Sequence, residues 1–153
     1  RTFCALLNYA TESRRKIPQE TLLNTMASVM YRLLYLSFPT NSLDEIVRLG
    51  LMGFCTNIFL QWSKVNLPYP HLSRTFKGCL SNLSIPIAPH TMLWVLVSGG
   101  ISLCTQDDDE WLVPWIQTTA NICSARTWSQ CRDILKNFLW IDFVHDELGQ
   151  KLF

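Results

Sequence analysis

Close to the C-terminus, three side chains of the kind that bind metals or transfer protons are close together in sequence. They are Asp142, His145 and Asp146, at relative positions i, i+3 and i+4. Residues with this spacing share one face of a helix, where they could hold a metal ion or move a proton. No second pair of histidines supports them, because His71 and His90 are distant in sequence. The pattern favours capping, ion pairing or exposure, with a small metal-dependent helical enzyme as the alternative.

A second candidate is the acidic run Asp107-Asp108-Asp109-Glu110, whose carboxylates could bind calcium or magnesium. The run lacks the alternating oxygen ligands, the turn glycine and the distal glutamate of a calcium-binding loop. Four carboxylates before an apolar stretch instead fit the electropositive start of a helix. We therefore expect a solvated helix start near Asp108. The inward face of this helix is predicted to comprise Trp111, Trp115, Ile116, Thr119, Ala120, Ile122 and Cys123.

The six cysteines stand at positions 4, 55, 79, 104, 123 and 131. No two of them have the two-residue separation that lets one turn present a pair of thiolates to zinc. No secretory signal is visible, so reduced and mostly buried thiols are expected. The chain also has no Gly-x-Ser-x-Gly turn and no phosphate-binding glycine loop. The sequence thus predicts no catalytic, cofactor-binding or metal-binding residue.

Composition narrows the class of protein. The chain has 153 residues, 48% of them hydrophobic and 16% charged, with a net charge of +1. This balance suits one folded domain with a large apolar core. The only dense basic run, Arg14-Arg15-Lys16, fits a solvated linker better than a nucleic-acid surface. The longest apolar run, Met92 to Cys104, is shorter than the roughly 20 residues that cross a bilayer. We expect neither a membrane span nor DNA binding by these residues.

The candidate residues lie on segments with helical periodicity. Apolar side chains recur at helical spacing over residues 19–38, 42–61 and 70–83. Residues 90–104 are apolar on nearly every side, which is typical of a helix surrounded by others. Within them, Gly99-Gly100 either allows close backbone contact or breaks the helix. We predict an all-α fold of about six to eight irregularly packed helices in one domain.

Residues that are typical of helix ends support the boundaries of these helices. Ser42 followed by Glu45, and Thr127 followed by Gln130, are capping-box patterns that begin helices. After Thr127, one apolar stripe is predicted, followed by a second helical segment that Gly149 closes or kinks. The stripe comprises Cys131, Ile134, Leu135, Phe138 and Leu139. In the segment that follows, Phe143, Val144 and Leu148 are predicted to provide the inward face.

The C-terminal stretch also resembles the signature of fungal-specific transcription factor domains. The matching residues are Trp128, Phe138, Leu139, Trp140, Asp142, Asp146, Gly149 and Leu152. Similar patterns occur in the run Leu43 to Phe54, at the Leu67-Pro-Tyr-Pro70 helix entry with Arg74, and at Leu93-Trp94 followed by Gly99-Gly100. The resemblance covers roughly residues 21–153.

The resemblance implies the helical regulatory region of a fungal transcription factor acting in the nucleus. Residues 1–18 are then an N-terminal helix and linker, and 19–153 the regulatory domain, as the C-terminal part of a longer protein. DNA binding is expected from a zinc-cluster region upstream of Arg1. Expected partners are proteins of the transcription machinery, a second copy of the domain or a small-molecule effector. The alternative within this class is a stand-alone accessory protein without DNA binding.

Overall fold

The computed structural model of the chain describes residues 2–16, 18–63, 69–84 and 86–153. Within these ranges it contains helices and no strand, so the all-α prediction is confirmed. The helices are α1 Thr2–Glu12, α2 Gln19–Tyr35, α3 Leu43–Ser63, α4 Pro70–Ser81, α5 Pro89–Leu103, α6 Asp109–Ile122, α7 Trp128–Lys136 and α8 Asp142–Leu152. A short 3-10 turn, Gln106–Asp108, precedes α6.

Helix α5 lies at the centre of the domain. It packs against α3, α4, α6, α7 and α8, and residues 93–100 are all buried. Apolar side chains on every face of this helix are stabilised because each face meets another helix. A smaller core region joins α1, α2, α3 and the start of α8 around Leu7, Met26, Phe54 and Ile141. The prediction of a central apolar helix is confirmed.

The glycine pair in α5 serves close packing, and the helix continues through it. A β-carbon added at Gly99 would lie 2.1 Å from the Phe76 ring of α4. One added at Gly100 would lie 2.9 Å from Leu112 of α6 and 3.0 Å from Leu152 of α8. Two neighbouring glycines therefore let three helices approach α5. Of the two possibilities in the sequence, close contact is the one observed.

The variant Gly99→Ala is expected to lower the free energy of unfolding by about 2 kcal/mol, because the new methyl overlaps a fully buried ring. Gly78→Ala in α4 is the matched control, since a β-carbon there meets nothing within 4 Å. Alanine's better helix propensity should stabilise that variant by up to about 1 kcal/mol. Urea denaturation followed by circular dichroism measures both changes. Equal stabilisation by both substitutions would contradict the packing role of Gly99.

Both predicted capping boxes begin helices, although only one is complete among the described residues. At the start of α7, the Gln130 amide donates to Thr127 Oγ1 and the Thr127 amide donates to Gln130 Oε1. At the start of α3, the Glu45 amide donates to Ser42 Oγ at 3.1 Å. The Glu45 carboxylate turns instead to Arg48. The helix start is kept, while this side chain forms an ion pair within α3.

Several predicted boundaries and faces are wrong. Helix α2 ends at Tyr35 instead of Phe38, because Leu36 adopts an extended conformation. Helix α7 ends at Lys136, so the predicted stripe leaves the helix before Phe138. Ile122 and Phe143, predicted to face inward, are 64% and 55% exposed. These residues lie near helix ends, where periodicity no longer fixes the neighbours of a side chain.

The N-terminal segment packs on the domain. Helix α1 contacts α8 and buries Cys4, Leu7 and Ala10. The side chain of Asn8 accepts a hydrogen bond from the Asp142 amide at 3.0 Å. The basic run that follows α1, residues 14–16, is exposed.

Candidate functional site

An arginine organises the acidic residues of the C-terminal segment. Arg132 of α7 binds Asp146 through Nε, at 3.0 and 2.9 Å from its two carboxylate oxygens. A terminal nitrogen of the same guanidinium lies 2.8 Å from Asp142. Lys136 also pairs with Asp142 at 2.7 Å. Both carboxylates are thus neutralised by cations from the preceding helix.

One of these carboxylates, Asp146, also fixes the tryptophan between the two helices. Trp140 is 2% exposed, and its Nε1–H donates to Asp146 at 2.7 Å. A β-carbon added at Gly149 would lie 2.5 Å from Trp128 and 3.0 Å from Trp140. Glycine at this position therefore lets α8 lie against two indole rings. Gly149 does not close the helix, which continues to Leu152.

His145 points away from these carboxylates and into the core. Its ring is 1% exposed and stacks on Phe54, with centroids 4.9 Å apart. Its Nδ1 lies 3.0 Å from the amide nitrogen of Ile141 and 2.9 Å from the carbonyl oxygen of the same residue, so the neutral ring accepts from the first or donates to the second according to its tautomer. Burial lowers the pKa of His145 to about 4, although the hydrogen bond to the Ile141 backbone and the charges of Asp146 and Asp142 favour the charged form. The imidazole is therefore neutral at physiological pH.

The trio predicted on one helical face is divided by the tertiary structure. The imidazole lies in the apolar core, and the two carboxylates bind Arg132. Across the described ranges, no three His, Cys, Asp or Glu side chains lie close enough together to hold a metal ion. Of the favoured interpretation, ion pairing describes the contacts of the two aspartates. The N-cap residue of α8, Ile141, provides no side-chain cap, and the burial of His145 was not predicted. Arg132 was not singled out by the sequence, since it lies on a different helix from its partners.

The acidic run before α6 is only partly solvated. Asp107 and Glu110 are exposed, but Asp108 is 7% exposed. Its carboxylate accepts the Thr105 amide at 2.9 Å and pairs with Lys77 at 2.7 Å. Burial raises the pKa of Asp108, but hydrogen bonds from Lys77 and Thr105 outweigh it and hold the pKa below its usual value. The expectation of a fully solvated run is corrected at this residue, which joins α4 to the start of α6.

The cysteines are free thiols, four of them buried and two half-buried. Burial raises the pKa of Cys55, Cys104 and Cys131 to about 12. Because the thiolate is the nucleophile, these side chains are poorly suited to attack a substrate at neutral pH. They fill space in the core as small apolar groups.

A cleft between α4 and the end of α5 was not anticipated from the sequence. It has a volume of about 600 Å³. Its lining residues are Tyr69, Pro70, Ser73, Arg74, Lys77 and residues 101–105. The signal available in the sequence was the spacing of Pro70, Ser73, Arg74 and Lys77, which places them on one face of α4. Their opposite wall comes from residues some 30 positions later, so only the fold reveals the cleft.

Helix α2 presents an apolar surface to solvent, which we call the α2 face. Its members are exposed hydrophobic side chains near the C-terminal end of the helix: Tyr31, Leu34, Tyr35 and Leu36. Tyr35 is 91% and Tyr31 76% exposed. Apolar groups clustered on a surface are typical of contact sites for other proteins.

Two further findings bear on the class of protein. None of the helices in the described part of the chain combines the length and the apolar character needed to cross a membrane. Comparison of the chain with protein-family models, with curated proteins and with solved structures finds no match.

Proposed function

We propose that this chain is the regulatory and interaction domain of a fungal transcription factor. In this proposal it acts in the nucleus and controls transcriptional activity through contacts with proteins, within its own chain or with an effector. DNA is bound by a region outside these residues. The proposal gives the chain no catalytic role, because the imidazole and carboxylates of the C-terminal trio are used in packing and ion pairing.

The packing of the residues that carry the resemblance supports this proposal most directly. Trp128, Trp140 and Gly149 meet between α7 and α8. On the other side, Trp94 of α5 donates its Nε1–H to the Leu139 carbonyl at 3.0 Å and stacks on Phe138. The resembling positions therefore form one interlocked unit that holds three helices together. A sequence signature with this role marks an architecture, and the resemblance supplies the regulatory function that is proposed for it.

The α2 face supports contact with another protein. Its tyrosines offer large apolar rings with polar ends, a combination that is enriched at protein interfaces. The partner in this proposal is a component of the transcription machinery or a second copy of the domain. The exposed side chains lie on a helix whose opposite side is anchored by Leu22, Met26 and Leu33.

A reporter assay tests the proposal. The chain is placed in fungal cells between a heterologous DNA-binding domain and an activation domain, and transcription is compared with a fusion lacking it. We expect the chain to change reporter output, and the double variant Tyr31→Ser/Tyr35→Ser to reduce that change. Leu6→Ser/Tyr9→Ser on α1 is the matched control, because these side chains are also exposed. Equal output with and without the chain, at equal nuclear protein levels, would contradict the proposal.

A further inference from the structure

We propose that the cleft between α4 and the end of α5 binds a small organic anion with an apolar body. The ligand class is a carboxylate or a phosphate monoester carried on a hydrocarbon or aromatic group. This binding does not depend on the transcriptional role proposed above, and it can be measured on the isolated chain.

The shape of the cleft suits such a ligand. One wall is the face of α4 that carries Pro70, Ser73, Arg74 and Lys77, and the other is formed by residues 101–105. The volume of about 600 Å³ lies within the range of about 300–1,000 Å³ usual for small-molecule sites. A cleft of this volume can hold a ligand larger than an inorganic ion.

The charge of the walls selects for an anion. Arg74 and Lys77 are cationic, and the lining contains no Asp or Glu. Lys77 is already paired with Asp108 at 2.7 Å. Within the described ranges, no carboxylate lies within 4 Å of the Arg74 guanidinium, which leaves its donors available. A guanidinium matches the two oxygens of a carboxylate or phosphate in one plane.

The helix ends place the anion on one side of the cleft. Helix α4 begins at Pro70, so the positive end of its dipole lies at this wall. Helix α5 ends at Leu103, and its negative end disfavours an anion at the opposite wall. The negative group therefore belongs on the α4 side, beside Arg74.

Apolar side chains provide the remainder of the surface. Tyr69 and Pro70 lie at one wall, and Ile101 and Leu103 at the other. These groups would be desolvated by a hydrocarbon or a ring, which adds affinity that a bare anion lacks. A cleft with both cationic and apolar walls should bind this ligand class more tightly than it binds inorganic phosphate or neutral apolar compounds.

The test is a titration of the isotopically labelled chain, followed by NMR. Four probes are used: octanoate, octyl phosphate, octan-1-ol and inorganic phosphate. We expect octanoate or octyl phosphate to shift the amide signals of residues 69–77 and 101–105. Octan-1-ol and inorganic phosphate should bind at least about tenfold more weakly, because each lacks one of the two interactions. The tighter of the two anions identifies the head group as carboxylate or phosphate.

Substitutions then locate the site. Arg74→Gln should weaken binding of the preferred anion about tenfold. Arg126→Gln is the matched control, because Arg126 is also exposed and does not line the cleft. Ser73→Trp should block binding by filling the space while retaining both cations. The proposal is overturned if no probe binds, if octan-1-ol binds as tightly as the anions, or if Arg74→Gln binds like the unmodified chain.

Discussion

The free energy of unfolding of the variant Arg48→Met is expected to be about 3 kcal/mol lower than that of the unmodified chain. Arg48 forms a two-pronged pair with Glu45, at 2.8 and 2.6 Å. The two side chains are only 14% and 7% exposed. Methionine would leave the Glu45 carboxylate buried without a counter-charge, and an uncompensated buried charge is the main source of the cost.

The arginine also connects two helices. Its other terminal nitrogen donates to the Leu33 carbonyl of α2 at 2.9 Å. Leu33 lies in the last turn of α2, where carbonyls have no partner within the helix. Loss of this bond should loosen α2 on α3 as well as lower global stability. Hydrogen exchange at the C-terminal end of α2 measures the local effect, and urea denaturation measures the global one.

Acid titration distinguishes the ion pair from simple loss of packing. Hydrogen bonds from Arg48 lower the pKa of Glu45, against the opposing effect of burial. Unfolded Glu45 binds its proton at a higher pH, near the ordinary value of about 4.3. The stabilisation is therefore complete above that pH and is lost as pH falls through the lower, folded value. This acid-dependent part of the stability should be absent from the variant Arg48→Met.

Two further variants serve as controls for Arg48→Met. The double variant Glu45→Gln/Arg48→Met should recover part of the lost stability, because it removes the buried charge. Lys151→Met breaks the exposed pair with Glu147, whose side chains are 67% and 83% exposed, and should cause no measurable change. If Arg48→Met and Lys151→Met had equal stability, the Glu45 pair would not have the role assigned to it.

Lowering the pH from 7 to 5 is expected to reduce stability by about 2 kcal/mol through His145 alone, and by about 3 kcal/mol at pH 4. Burial lowers the pKa of this ring to about 4. The unfolded chain therefore binds a proton near pH 6.5 that the folded chain does not. Stability falls as pH decreases from 6.5 to 4 and becomes independent of this group below 4.

The variant His145→Phe should flatten that dependence above pH 5. It keeps a ring against Phe54 and Trp140, but it loses the hydrogen bond between Nδ1 and the Ile141 backbone, so it should be about 1 kcal/mol less stable at pH 7. His90→Gln, at an exposed position, is the matched control and should retain the full dependence. Denaturant titrations at pH 7, 6 and 5 measure all three chains. An unchanged slope in His145→Phe would show that other groups cause the loss.

Residue types and spacing predicted only part of the arrangement of the C-terminal trio. Asp142, His145 and Asp146 have the spacing of a shared helical face, and α8 does place the two aspartates together. Spacing gives the direction of each side chain on its own helix but not which direction faces the core. Phe54 of α3 and Arg132 of α7 decide that, and both lie on other helices.

The sequence by itself determined the helices, most of their starts and the central place of α5. Proline, the Ser42 and Thr127 caps and the all-round apolar run act within a few residues, so their effects can be inferred from neighbours in the chain. Only the tertiary structure decided the burial of His145 and Asp108, the contacts of Arg132, and the cleft beside Arg74. Those features depend on desolvation and on ion pairing between different helices, which spacing along one helix does not specify.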